Sequence, residues 1–189
     1  MQDLQSLLEI SSRDHDHLCP RQILGVRMGL FGTAILGLEP QPPGKRLLVI
    51  LETDGCFADG IIAATGCTVG HRTLRIEDYG KVAATFVEVK TGRSMRVVPH
   101  LDVRQRAAVC LPDIPSHYLA QMEAYKILLE TELFVYSEVQ LNMPIDQIIS
   151  RPGVYVECAV CGEEIINERE IQRNGRILCR TCAQGAYYR

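Results

Sequence analysis

Apolar residues in the first 38 positions recur at helical spacing, with one polar interruption. LQSLLEI, residues 4–10, reads as a short amphipathic helix, and SSRDHDHLC breaks the pattern. Pro20 then sits where the first turn of a second helix tolerates a missing N–H. Across 20–38 the repeat runs through Ile23, Leu24, Val26, Leu30, Phe31, Ala34, Ile35 and Leu38. Gly25, Gly29 and Gly32 lower helix propensity, but their spacing leaves a strip on which another backbone can pack closely. PQPPGK closes the helix. RLLVILET reads as a short buried strand, and DGCFADG turns the chain into IIAATG, a helix of about three turns that begins near Cys56. CTVGHRT reads as loop. KVAATFVEV and RSMRVV flank Thr91-Gly92 and predict a β-hairpin. Residues 101–110 and 116–132 read as helical, and LFVYSEVQL alternates as a strand does. Arg151-Pro152-Gly153 marks a boundary. Helices mixed with strands predict an α+β core domain over 1–150, followed by a small domain over 151–189.

Composition narrows the function classes. Of 189 residues, 47% are hydrophobic and 23% charged, with a formal net charge of −3, the balance of a soluble globular chain. No apolar run approaches the roughly 18 residues that a spanning helix needs. MQDLQSLLEISSRDHDH has neither the basic start nor the apolar centre of a signal peptide, so a cytoplasmic location without a membrane partner is expected. The mildly acidic charge offers no overall attraction to nucleic acid.

Eight cysteines point to metal or thiol chemistry. Four of them form two Cys-x-x-Cys pairs, Cys158/Cys161 and Cys179/Cys182, separated by 17 residues. That spacing can place four thiolates around one tetrahedral Zn²⁺. A segment this short builds little hydrophobic core and needs such a metal to hold it. Gly162 predicts a tight turn that aims backbone amides at the sulfurs. The intervening stretch predicts a hairpin with Asn174-Gly175 at its turn. Four cysteines close the zinc shell, so the metal is expected to be structural, in a ribbon or treble-clef-like finger. The tail carries six arginines and five glutamates, an excess of one positive charge. Arg173, Arg176, Arg180 and Arg189 are the residues that could form a basic face, though a solvated surface or a protein contact explains them more simply.

The other cysteines are scattered. In D14-H-D-H-L-C-P20, His15, His17 and Cys19 alternate, so an extended backbone would point all three the same way. Imidazole and thiolate together suit a transition metal such as zinc. In E52-T-D-G-C56, the helix start would favour a thiolate at Cys56, and Asp54 would cap the helix or orient a histidine. Cys67 follows Gly66, where that helix ends. Taken singly, Cys56 and Cys67 read as buried, inert thiols. Cys110 reads as core. Among His71, His100 and His117, only His71 lies near a cysteine in sequence.

H17-L-C-P20, the glycine-spaced helix, E52-T-D-G-C56, T65-G-C67-T and D78-Y-G-K81-V-A together resemble the FmdE family of formylmethanofuran dehydrogenase components. The order and spacing match over residues 10–100, and the four-cysteine tail is similar to the finger on many members. The family is named for an operon encoding the molybdenum enzyme that reduces CO₂ onto methanofuran, and members occur without that pathway. The resemblance implies an α+β domain with a zinc-finger appendage, a homodimer, and a cleft lined by His17, Cys19, Asp54, Cys56, Cys67 and Lys81. Arg21 stands where many relatives have Gly, which narrows or recharges the cleft mouth.

These readings converge on a second site. His17, Cys19 and Cys56 would bind a transition metal with an open position, and Cys67 would complete that shell or act as a separate thiol. The leading expectation is a metal-binding accessory protein. It would dock onto the partner subunits of a molybdenum or tungsten oxidoreductase of the formylmethanofuran dehydrogenase type, or serve related one-carbon metabolism. One alternative is an independent metal- or thiol-dependent enzyme on a small substrate, with Cys56, Cys67, Asp54 and Lys81 as its catalytic candidates. Such an enzyme should carry a Cys56 of lowered pKa. The other alternative is a nucleic-acid-binding regulator working through the finger, which the charge count disfavours.

Overall fold

The computed structural model describes residues 3–149 and 153–188, so the Arg151-Pro152 boundary lies outside the described residues. The chain separates into two compact units, Met1–Leu141 and Asn142–Arg189.

The first unit opens with helix α1 (Leu4–Ser11), whose first turn is capped by the Asp3 carboxylate accepting from the Ser6 amide at 2.8 Å. Helix α2 (Pro20–Ile35) starts at the proline, with Cys19 as its N-cap. Strand β1 (Leu47–Leu51), helix α3 (Cys56–Thr65) and strand β2 (Leu74–Ile76) follow. Strands β3 (Ala84–Glu88) and β4 (Ser94–Pro99) form the hairpin around Thr91-Gly92, where Gly92 has φ +78°. Helices α4 (Val103–Cys110), α5 (His117–Ile127) and α6 (Glu130–Leu133) precede strand β5 (Phe134–Glu138).

The five strands form one sheet in the order β2-β1-β3-β4-β5. The β1–β2 pair is parallel and the other pairs are antiparallel. Alternation along the strands puts Val49, Phe86 and Met95 in one cross-strand row, with Leu51, Ala84 and Val97 in the next. All six are buried in the core that α2 and α3 share. Phe31 of α2 packs on β5, its ring centroid 5.9 Å from that of Phe134 and 5.6 Å from that of Tyr136.

The glycine strip does what its spacing predicts. A Cβ on Gly25 would strike the Phe57 carbonyl oxygen and the Gly60 backbone, and one on Gly29 would strike Ala64. Gly32 lies flat against the Phe86 ring. Contact partners on α3 advance as those on α2 advance, so the two helices run parallel and their N-termini lie side by side.

Two elements differ from the sequence expectation. Residues 116–132 form α5 and α6 rather than one helix, because Leu128 adopts an extended conformation (ψ 144°). The buried Arg27 stabilises that break. Its guanidinium donates to the carbonyls of Tyr125 (2.9 Å), Lys126 (2.9 Å) and Leu128 (2.7 Å) and to the Glu130 carboxylate (2.9 Å). Those are carbonyls that a helix end leaves without partners. Strand β2 follows the expected loop, and its three residues gain their place from the parallel ladder with β1.

The second unit holds helix α7 (Ile145–Ile149), hairpin β6 (Tyr155–Glu157) with β7 (Glu164–Ile166), hairpin β8 (Ile171–Arg173) with β9 (Arg176–Leu178), and helix α8 (Arg180–Gln184). Asn174 (φ 52°) and Gly175 (φ 72°) make the turn that the sequence predicts between β8 and β9. Among the described residues, no helix is long and apolar enough to cross a membrane.

Candidate functional site

In the tail, the turn after β6 carries Cys158 and Cys161, and Cys179 caps α8, which contains Cys182. The four sulfurs lie within 4.8 Å of one another. The Cys161 and Cys179 sulfurs are 3.9 Å apart. A tetrahedron with Zn–S bonds of about 2.3 Å has edges of about 3.8 Å, so the donor set fits zinc. Gly162, at φ +73°, makes the tight turn. The Cys179 amide donates to the Cys158 sulfur, and the Cys182 amide to the Cys179 sulfur, each at 3.3 Å. Backbone amides of Cys161, Cys179 and Val160 hold the Cys158 thiol down at about 6. The neighbouring Cys179 pushes Cys182 up to about 12. Ile165, Leu178 and Ala183 form the small core around Cys158. A helix bearing the second pair makes the finger treble-clef-like rather than a plain ribbon. Arg173 and Arg180 are exposed, Arg176 donates to the Ala159 carbonyl at 2.8 Å, and Arg189 lies outside the described residues.

In the core, the parallel packing of α2 and α3 brings Cys19 and Cys56 into contact at the two helix starts. The buried Gln22 fixes this corner. Its side-chain oxygen accepts from the Cys19 amide at 2.7 Å, and its side-chain nitrogen donates to the Ser11 carbonyl at 2.8 Å. On α3 the N-cap is Gly55, at φ +72°, a conformation that a side chain would strain. Burial pushes the Cys56 thiol up, and the adjacent Cys19 adds to that shift. Desolvation and a second thiol thus outweigh the helix start, opposite to the lowered pKa expected of a reactive Cys56.

The other candidates take varied places. Asp54 is exposed and makes no cap bond to α3. Cys67 is buried beyond the far end of α3, its thiol facing the Leu47 carbonyl at 3.6 Å. The ten residues of α3 span about 15 Å, which separates Cys67 from Cys56. Lys81 is exposed. Its amide donates to the Glu52 carbonyl at 3.1 Å, and its charge helps the Arg96 guanidinium hold the Glu52 carboxyl below its usual range. His17 is exposed, and it is His15 whose ring meets α3, pairing with Asp59 at 2.9 Å. Among the described residues, the tail cysteines are the one group of three or more His, Cys, Asp or Glu side chains whose donor atoms converge.

Cys19 and Cys56 line a cleft of about 620 Å³. Its other walls come from the start of α4 (Val103, Arg104, Gln105) and from α5 (Tyr118, Gln121, Tyr125). Tyr118 donates to the Leu18 carbonyl at 3.3 Å, tying α5 to the residue before Cys19. The sequence offers no local signal for Arg104 or Tyr118, which reach the cleft through helix packing alone.

The first unit is thus a mixed α/β domain with a cysteine-lined cleft, and the second is a four-cysteine zinc finger. Residues 14–150 match the family model described as FmdE, molybdenum formylmethanofuran dehydrogenase operon, and the chain belongs to that family. Residues 153–188 match the prokaryotic dksA/traR C4-type zinc finger. The crystal structure of a tungsten formylmethanofuran dehydrogenase FmdE-like protein from Syntrophus aciditrophicus is similar over 100% of this chain and 96% of that one, with a TM-score of 0.59 and 20% identity, and it shows the shared fold. An Archaeoglobus fulgidus protein described as a probable S-adenosyl-L-methionine-binding protein is 39% identical over 97 residues. That match spans 50% of this chain and 26% of the relative's length.

Proposed function

We propose that this metal-binding FmdE-family protein carries a second metal site in its core cleft and acts as an accessory to an oxidoreductase of the formylmethanofuran dehydrogenase type or in related one-carbon metabolism. The observation that carries the reading is the pairing of Cys19 with Cys56 at two parallel helix starts, on the wall of a cleft large enough for a small molecule. Two sulfur donors fit a thiophilic metal such as zinc. His17, exposed and two residues before Cys19, supplies the imidazole in this reading. Cys19, Cys56 and His17 would hold such a metal, which would supply Lewis acidity beside the cleft. The chain's own residues orient that site. Gln22 locks Cys19, and the glycine contacts set the approach of α3 that brings Cys56 beside it.

A homodimer is part of the proposal, supported by exposed apolar residues on α5 and β5: Leu119, Ile127, Val135 and Tyr136. Metal content per chain tests the core site. The intact chain should bind two metals, and the Cys19→Ser/Cys56→Ser variant one. One metal in both would remove the proposal.

A further inference from the structure

The cleft has a charge character that the cysteines do not explain. Among the described residues, no aspartate or glutamate lines it, although the chain as a whole is acidic. Two arginines do, Arg21 from α2 and Arg104 from α4. Both are exposed, and among the described residues neither forms an ion pair. Some other arginines of this domain are paired, whereas Arg13, Arg72 and Arg93 on other surfaces also form no ion pair among the described residues. Arg27 pairs with Glu130, Arg96 with Glu52 and Arg106 with Asp102. His100, also on the cleft wall, has both ring nitrogens engaged, one with the Thr131 carbonyl at 3.1 Å and the other with Arg106 at 3.4 Å. Free positive charge in the cleft therefore rests on Arg21 and Arg104. Residues of the first turns of α2, α3 and α4 line the same space, and α5 presents a side face to it through Tyr118, Gln121 and Tyr125. The wall between the charged groups is apolar and aromatic, with Leu24, Val82, Leu101, Val103 and Tyr118.

We infer that the cleft binds a small organic anion, a carboxylate or phosphate ester with an apolar or planar body. Arg21 and Arg104 hold the anionic group, and the apolar wall takes the body. Cys19 and Cys56 share the same space, so the ligand lies beside the proposed metal site. The inference deepens the proposed function and rests on it only for what the two thiols do.

Two matched fluorescent probes test it on the full chain: 8-anilinonaphthalene-1-sulfonate, an anion, and N-phenyl-1-naphthylamine, its uncharged counterpart. The anion should bind at one site per chain, about 10-fold or more tighter than the neutral probe, the value of one or two charge-assisted hydrogen bonds. Arg21→Ala/Arg104→Ala should erase that preference and leave the neutral probe unchanged, whereas Lys90→Ala should change neither. Arg21→Lys/Arg104→Lys should restore part of it. Octanoate and octyl phosphate should compete, and the stronger competitor names the anionic group. Equal affinity for the two probes, an anion affinity indifferent to the double alanine variant, or no competition by either acid would overturn the inference. Cys19→Ser/Cys56→Ser separates the two proposals. Probe binding that survives while no second metal is ever found would leave the anion site and remove only the metal site. A second metal together with indifferent arginines would do the reverse.

Discussion

The tail and the core domain each gather cysteines, by opposite means. In the tail, four thiols converge within one stretch, because two Cys-x-x-Cys turns and a short hairpin leave little choice of geometry. In the core, Cys19 and Cys56 meet only because two helices pack in parallel over glycines. Local spacing builds the first site and long-range packing builds the second. The tail therefore depends on its metal for structure, whereas the core pair depends on a fold that forms without it.

The largest expected effect is on the tail. Chelation, or Cys158→Ser, should abolish protection from proteolysis across residues 153–188 and leave the thermal transition of the first unit in place. Zinc binding in such modules is worth about 10–16 kcal/mol, more than a four-residue core can replace. A tail that keeps its protection would contradict a finger held together by its metal.

Next comes the helix contact. Gly60→Val should destabilise the first unit by about 3 kcal/mol in urea denaturation, because its Cβ would be driven into the Gln22 carbonyl and the Val26 amide, both backbone. Gly37→Ala, in open space but at φ +72°, should cost about 1 kcal/mol. Gln22→Ala should cost about 2 kcal/mol, the penalty for stranding the Cys19 amide and the Ser11 carbonyl. It should also loosen the thiol pair, read as slower closure of a Cys19–Cys56 disulfide under mild oxidation.

The smallest effects concern pH. Arg96 holds the Glu52 carboxyl below its ordinary value through bonds of 2.6 and 2.8 Å. Stability from this pair is present above the unfolded carboxyl's pKa and is lost as pH falls through the lower folded value. Glu52→Gln should flatten the acid side of the stability profile below about pH 4.5. For Cys56 the shift is upward, so iodoacetamide labelling at Cys56 itself, read by peptide mapping of the metal-free chain, should stay slow at pH 7 and rise only above about pH 9.

Much of this was legible in sequence, for physical reasons that can be named. Periodicity placed α1, α2 and α3, Thr91-Gly92 placed a hairpin, and Asn174-Gly175 placed another, since each rests on contacts close along the chain. The glycine strip announced a close approach but not its partner, which is α3. Other features had no local signal. Strand β2 is three residues long and depends on β1. The break between α5 and α6 contains no Gly or Pro and is held by Arg27, far away in sequence. Arg104 and Tyr118 enter the cleft from α4 and α5, which periodicity located without orienting. His15 and His17 were equivalent in the alternating pattern, and only the fold distinguishes them, by turning His15 onto Asp59.

X-ray absorption at the zinc edge of the fully loaded chain reads out the core site beside the finger. Four sulfurs in the tail and two in the core predict an average of about three sulfurs per zinc, the remainder nitrogen or oxygen. One zinc per chain, surrounded by four sulfurs alone, would contradict the core site and leave the finger as the only metal centre.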